Sequence, residues 1–323
     1  MAAVEEVWKK NFHQTCNLTE ISREKCSYIS LDMEFPGFLR TAHRDASEYE
    51  LYDKLKYNVD NLKPIQVGLT LSDVSGHIPY HGAWQFNLSG FNVHKDPSSA
   101  ELVELLRRSG IDFDKNLREG VMLDDFARFF RRTFVFGGRK MNHSWVTFHG
   151  MYDLAYMVKI ITASPLPDTL FGFLSLIELF FGRVFDVKAM AKKCTGLMGG
   201  EIGLVRMSRI LKIDTFCTKA HQAGHDSMLT SKVFSVIKRE YKLNEGDYQG
   251  KLYGISSVLN ASSQHNFIAP PLPNPIFMNF PLSPPLIWMP MPRMMGPEFH
   301  PLASGFDTYD GRFMGYYPCY CGC

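Results

Sequence analysis

The stretch SYISLDMEFPG, residues 27–37, sets two carboxylates two positions apart in a run that otherwise reads as a buried β-strand. Side chains alternate across a strand, so Asp32 and Glu34 project to one face while Leu31, Met33 and Phe35 project to the other. Two carboxylates on an apolar sheet repel each other, and burial penalises both charges. The strand contains no Lys or Arg. The compensating cation is therefore either a basic side chain from elsewhere in the chain or a divalent metal ion, and the fold must deliver it to that face.

Around this strand the pattern predicts helices over 3–25 and 48–61, then strands over 65–73 and 83–88 joined through SGHIPYHG, whose Gly and Pro suit a turn. Helices are expected at 98–109 and 122–132, a strand at 144–150, helices at 151–163 and 169–181, and a strand at RVFDV. Helices at 187–197, 203–212 and 222–241 complete the series. Strands paired early and then alternating with helices argue for an α/β fold, a mixed sheet with helices on its faces. From about Ser256 the composition turns to proline and methionine with very few charges, which suits neither a regular helix nor a central strand. The expected organisation is a folded domain over 1–255 and a low-complexity, disordered tail over 256–323. The tail's Phe, Trp and Met residues suit a docking peptide as well as a plain extension, and its CYCGC end could ligate a metal or carry a lipid.

Composition excludes more than it assigns. A formal charge of +2 on 323 residues is too small for bulk attraction of nucleic acid, so an anionic partner must be held by a local patch or by metal ions. The longest apolar stretch, LFGFLSLIELFFGRVF, is interrupted by Glu178 and Arg183. It is shorter than the roughly 20 residues of a bilayer span, so it reads as a core helix and no membrane partner is expected. The first residues, MAAVEEVWKKNF, lack the apolar segment of a signal peptide. Seven cysteines without framework spacing fit a reducing compartment, cytosol or nucleus.

Two later segments could complete the acidic site. Asp153 follows the apolar strand WVTFHG near a helix start, where open α/β sheets collect functional groups; alone, it reads first as a helix N-terminal acid favoured by the macrodipole. His221 and Asp226, in KAHQAGHDSMLTSKVF, stand five apart. On one ideal helix they would be about 140° apart. They converge only if His221 precedes the helix and Asp226 lies in its first turns, which Gly224 permits. Alone, His221 would be a structural residue and Asp226 or Ser227 a cap.

In this order and spacing, Asp32-x-Glu34, Asp153 and His221-x-Ala223-x-x-Asp226 resemble the DEDD superfamily of 3′-to-5′ exonucleases, in its DEDDh branch. LDMEFPG, NVDNLKPIQVGLTLSD, WQFN, SGIDFDKN, WVTFHGMYD, LPDT, HQAGHDSMLTS and KLYGI narrow the resemblance to the Caf/Pop-type deadenylases, the poly(A)-shortening ribonucleases of the Ccr-Not complex. It spans roughly residues 4–255, and strings such as SGIDFDKN have no catalytic chemistry to force them. The resemblance implies a ribonuclease-H-like fold, a five-stranded mixed sheet wrapped by helices. It implies a poly(A)-specific 3′-to-5′ exoribonuclease that releases 5′-AMP, acting in nucleus and cytoplasm. Asp32, Glu34, Asp153 and Asp226 would hold two divalent metal ions, Mg²⁺ or Mn²⁺, with Asp32 bridging them and His221 as general base. The implied partners are the poly(A) tail of mRNA and, within the Ccr-Not complex, the helical-repeat scaffold subunit and the leucine-rich-repeat nuclease.

The chain departs from the family pattern beside two of these acids. Met151 and His225 stand where relatives usually carry smaller residues, and His225 is expected on the outer side of its helix. Two other functional classes compete: a catalytically weak adaptor subunit of the deadenylase complex, and an exonuclease acting on DNA or a small structured RNA. Loss of an acid would mark the adaptor, and equal degradation of all homopolymers and of DNA would mark the third.

Overall fold

Strand pairing around Asp32 and Glu34 organises the domain. The computed structural model describes residues 3–43, 45–136, 143–214 and 220–255. The expected tail over 256–323, with its CYCGC end, and Cys217 lie outside the described residues. In chain order the elements are β1 (Glu5–Val7), α1 (Phe12–Arg23), β2 (Tyr28–Glu34), α2 (Glu48–Asn61), β3 (Gln66–Ser72), β4 (Ala83–Ser89), α3 (Ala100–Arg108), α4 (Phe113–Glu119) and β5 (Val121–Met122). They continue with α5 (Leu123–Phe130), β6 (Ser144–Thr147), α6 (Met151–Thr162), α7 (Leu170–Phe181), β7 (Arg183–Asp186), α8 (Val187–Ala191), α9 (Leu204–Ile210) and α10 (Ala223–Glu240).

The sheet runs β1-β4-β3-β2-β6-β7, with β5 paired to β4. β2 is antiparallel to β3 and parallel to β6, and β7 extends the parallel half. The sheet is mixed, as expected, with seven strands instead of five: the two extra ones, β1 and β5, are short and both run parallel to β4. The β2 alternation is as the sequence reads. Leu31, Met33 and Phe35 enter the larger core with α5, α6 and α7, where Phe126, Phe130, Tyr156 and Phe173 are fully buried. A second core on the opposite face joins Val146, Phe148 and Phe185 to Leu229, Val233 and Phe234 of α10. Among the described residues no helix is long and apolar enough to cross a membrane, and α7 is the core helix expected from its interrupted apolar run.

Several helix starts have local causes. Ser47 accepts from Glu50 N–H at 3.3 Å at the head of α2, and Thr169 accepts from Gly172 N–H at 3.1 Å at the head of α7. The structure corrects the sequence at four places. Residues 3–25 are not one helix: Glu5–Val7 pairs with β4, Asn11 Oδ1 accepts from Trp8 N–H at 2.8 Å, and that turn delays α1 to Phe12. α4 was not foreseen, although Asp112 caps it by accepting from Lys115 N–H at 2.9 Å. The helix expected over 122–132 is α5 followed by a π-helical turn over Arg131–Val135. The helix expected over 187–197 ends at Ala191, followed by turns and a 3₁₀ segment over Met198–Gly200.

Candidate active site

All five residues singled out from the sequence line one cleft at the end of the sheet. β2 presents Asp32 and Glu34, while Asp153 comes from the first turn of α6, reached from the parallel neighbour β6 through residues 148–150. α10 presents Asp226 from its first turn, and His221 stands just before that helix. The cleft's apolar walls include Phe35, Leu102, Leu105, Phe148, Tyr152 and Leu204. Phe35 and Phe148 are both buried core residues, and Phe35 stacks on Tyr152 at 5.3 Å.

His221 precedes α10 and Asp226 lies in its first turn, as their convergence requires, but Gly224 lies inside the helix and the residue that turns the chain is His221 itself, at φ +59°. Its N–H donates to Asp226 Oδ2 at 2.9 Å, which fixes the two side by side. One polar atom each from Glu34, His221 and Asp226 lies within 4.8 Å of the others.

The electrostatics of the cleft are those of confined negative charge. Burial raises the Asp32 carboxyl well above the usual carboxylate range, and Asp153, Asp226 and Glu34 push it further. Glu34 is raised by burial, then by Asp226 and Asp153. Asp153 is raised by burial, against the hydrogen bond it accepts from Met33 N–H, with Asp186 adding to the rise. Burial pushes Asp226 up to about 7 despite the bond from His221 N–H. Burial also depresses the His221 imidazole, which keeps the ring neutral near neutral pH. Among the described residues, no Lys or Arg lines the cleft. Of the two compensating cations that the sequence left open for Asp32 and Glu34, the described residues supply no basic side chain there.

Whether these residues fit a metal is tested by Asp226. Its Oδ1 is buried and has no hydrogen-bond partner among the described residues, a costly state for a carboxylate unless a cation faces it. Four carboxylates supply hard oxygen donors of the kind that Mg²⁺ and Mn²⁺ prefer. The donor set fits. Met151 and His225 do not line the cleft: Met151 packs into the larger core, and His225 is half-buried on α10.

Sequence reasoning missed Asp186, which it read only as part of a strand. This fully buried carboxylate accepts from the backbone N–H groups of His149 (2.9 Å), Lys188 (3.0 Å), Ala189 (3.4 Å) and Tyr253 (3.0 Å). It thereby holds the turn at His149, φ +61°, that carries the chain from β6 into α6 and Asp153. The available signal was a second acid inside an apolar strand run.

Comparison with known proteins agrees with this geometry. Residues 7–128 match the family described as CAF1 family ribonuclease. The chain is 39% identical over 262 residues to Probable CCR4-associated factor 1 homolog 10 of Arabidopsis thaliana, covering 78% of this chain and 92% of that protein. It is 33% identical over 278 residues to Poly(A) ribonuclease pop2 of Schizosaccharomyces pombe, covering 84% and 80%. The solved structure of S. pombe Pop2p in its Mg²⁺ and Mn²⁺ bound form superposes with a TM-score of 0.70 at 33% identity, over 78% of this chain and 99% of that one. Yeast CAF1, co-crystallised with the NOT1 MIF4G domain, superposes with a TM-score of 0.64 at 25% identity, over 78% and 96%. With its acids gathered at one end of a ribonuclease-H-like mixed sheet, the chain belongs to the CAF1 family of ribonucleases.

Proposed function

We propose that this ribonuclease is a metal-dependent 3′-to-5′ exoribonuclease that shortens poly(A) and releases 5′-AMP. The observation that carries the reading is the convergence of Asp32, Glu34, Asp153, His221 and Asp226 on one cleft from three separate parts of the chain. Asp32, Glu34, Asp153 and Asp226 would hold a pair of Mg²⁺ or Mn²⁺ ions, as the metal-bound S. pombe structure supports. When bound, such ions supply Lewis-acid activation of water and neutralise charge on the scissile phosphate and the leaving 3′-oxygen.

The chain's own residues do the rest. The neutral His221 ring, held beside Asp226 by its own backbone N–H, accepts a proton from the attacking water at a ring nitrogen. The apolar walls at Leu102, Leu105, Phe148 and Leu204 limit bulk water around the phosphate. The preference for adenosine is supported by the name of the S. pombe relative. Docking on a MIF4G-type domain of the scaffold subunit is supported by the yeast co-crystal. The leucine-rich-repeat nuclease of the Ccr-Not complex follows from the family resemblance alone.

The test is a time course with Mg²⁺ or Mn²⁺ on 5′-labelled RNA ending in a run of adenosines, beside oligo(U), oligo(C) and DNA, with His221→Ala in parallel. A ladder shortening from the 3′ end of the adenosine substrate and lost in the variant is the expected result. No cleavage with either ion would favour the adaptor class, and equal cleavage of every substrate would remove the poly(A) preference.

A further inference from the structure

Strings that the chemistry above does not use, IQVGLTLSD, WQFN and SGIDFDKN, meet at the head of α10. On β3, Val67, Leu69 and Leu71 enter the larger core, so Gln66, Gly68, Thr70 and Ser72 face α10 instead. Gln85 of β4 faces the same way, since Trp84 and Phe86 enter the core. A sheet face this polar, buried under a helix, is costly unless its groups are paired.

The pairing is specific. Gln66 Oε1 accepts from Ala223 N–H at 3.2 Å and Gln85 Oε1 accepts from Gly224 N–H at 3.2 Å. The side-chain amides of Gln66 and Gln85 both donate to Gln222 Oε1, at 3.3 and 2.8 Å. Gln222 in turn donates to the Ser109 carbonyl at 2.9 Å, in SGIDFDKN. The three glutamines are all buried. The first two N–H groups of α10 are thus capped from the sheet, and its own N-cap residue, Gln222, makes no side-chain cap. The helix comes this near because position 68 is glycine: a Cβ there would lie 1.8 Å from the Ala223 carbonyl oxygen.

The same strand carries the register of the acids. Gln66 is the cross-strand partner of Glu34, and Gly68 is the partner of Asp32. From Glu34 to the first turn of α10 the route is one ladder pair and one side-chain amide. Apolar helix packing tolerates small slides, whereas directional bonds at the first turn do not.

We propose that Gln66, Gln85 and Gln222 are positioning residues of the metal-holding cleft, clamping the first turn of α10 so that His221 and Asp226 stand at a fixed place relative to Asp32 and Glu34. This rests on the reading that the cleft holds divalent ions. The three glutamines are not among the residues lining the cleft. They act through the backbone of Ala223 and Gly224, three and two residues before Asp226.

The test compares Gln85→Met and Gln222→Met with wild type, reading Mn²⁺ affinity by titration of free Mn²⁺, melting temperature without metal, and hydrogen exchange at the Ala223 and Gly224 amides. Tyr28→Phe is the control, since it removes the hydroxyl to which Lys238 donates at 2.7 Å near the other end of α10. Gln85→Met is expected to weaken Mn²⁺ binding by about tenfold to a hundredfold and to speed exchange at Gly224. Tyr28→Phe is expected to lower the melting temperature with Mn²⁺ affinity unchanged. Should Gln85→Met not fold, Gln222→Met decides, because it leaves both cap acceptors in place. Glutamine variants that bind Mn²⁺ as wild type does, or a Tyr28→Phe protein weakened as much as they are, would overturn the proposal alone. A wild-type protein that binds no Mn²⁺ would overturn the metal reading as well.

Discussion

Asp32 and Gly68 are cross-strand partners, and directly over Gly68 lies the Ala223 carbonyl at the head of α10. The partner strand of the first acids and the helix that carries the last thus meet at a residue without a side chain. Gly68→Ala must push β3 and α10 apart. The expected result is a loss of about 1–3 kcal/mol of stability by overpacking, with Mn²⁺ affinity falling as well. Chemical denaturation and a Mn²⁺ titration would check both, and a protein of wild-type stability and affinity would contradict the close approach.

The crowded carboxylates set the pH dependence of the metal-free protein. Asp32, Glu34 and Asp153 are held above the usual range, and Asp226 is pushed up to about 7. An acid raised in the folded state contributes stability below its unfolded pKa, and that contribution is lost as pH rises through the folded value. His221 and His143 have the opposite sign: burial depresses both, so their contribution is present above the unfolded value and lost as pH falls. Unfolded histidine is half protonated at about pH 6.5, so the histidine part is constant only above about pH 7.5. In EDTA the melting temperature should fall as pH rises toward about 7, the Asp226 value, because the four raised carboxyls outnumber the two depressed imidazoles. Mn²⁺ should raise it by an increment that grows with pH, because the ligands bind deprotonated. A flat or rising EDTA profile would count against the burial that raises these carboxyls.

Asp186→Asn tests the turn that aims α6. The asparagine oxygen can still accept from His149, Lys188 and Ala189, but its amide would face the Tyr253 N–H, donor against donor. An unsatisfied buried donor costs about 1–3 kcal/mol. Calorimetry should show that loss, and single-turnover cleavage should slow because Asp153 follows the loosened turn. Unchanged stability would mean that the four bonds are not what holds the His149 turn.

The sequence made some of this legible and hid the rest for physical reasons. The shared face of Asp32 and Glu34 follows from strand period alone, and the core helix at Leu170–Phe181 follows from its apolar run. β1 was hidden because three residues, two of them Glu, carry little strand signal, and its pairing with β4 spans about eighty positions. The short α4 was readable from its Asp112 cap but too brief to show a period. His221 taking the left-handed turn itself depends on the bond from its N–H to Asp226. Asp186 and the glutamines act on backbone groups far away in sequence, which local pattern does not show. Gln66 and Gln85 lie in strings that the family resemblance shares, and their role is to accept from the Ala223 and Gly224 N–H groups.

Asp32→Asn separates what the site does from what holds the fold. Asp32 is repelled by Asp153, Asp226 and Glu34 in a buried cleft, so in the absence of metal its charge destabilises the protein. Replacing it with a neutral residue of the same shape should raise the metal-free stability at pH 8, by about 0.5–2 kcal/mol, the common yield of a single stabilising substitution. The same change removes a ligand of the ions that would activate water and stabilise the leaving group. Several kcal/mol of transition-state stabilisation then disappear, so cleavage should fall by about a thousandfold or more with saturating Mn²⁺. The two measurements are a melting curve in EDTA and a single-turnover assay on the adenosine substrate. A variant that is less stable than wild type in EDTA would show that Asp32 is a structural acid. A variant that cleaves at nearly the wild-type rate would show that the ions, if bound, are held without it.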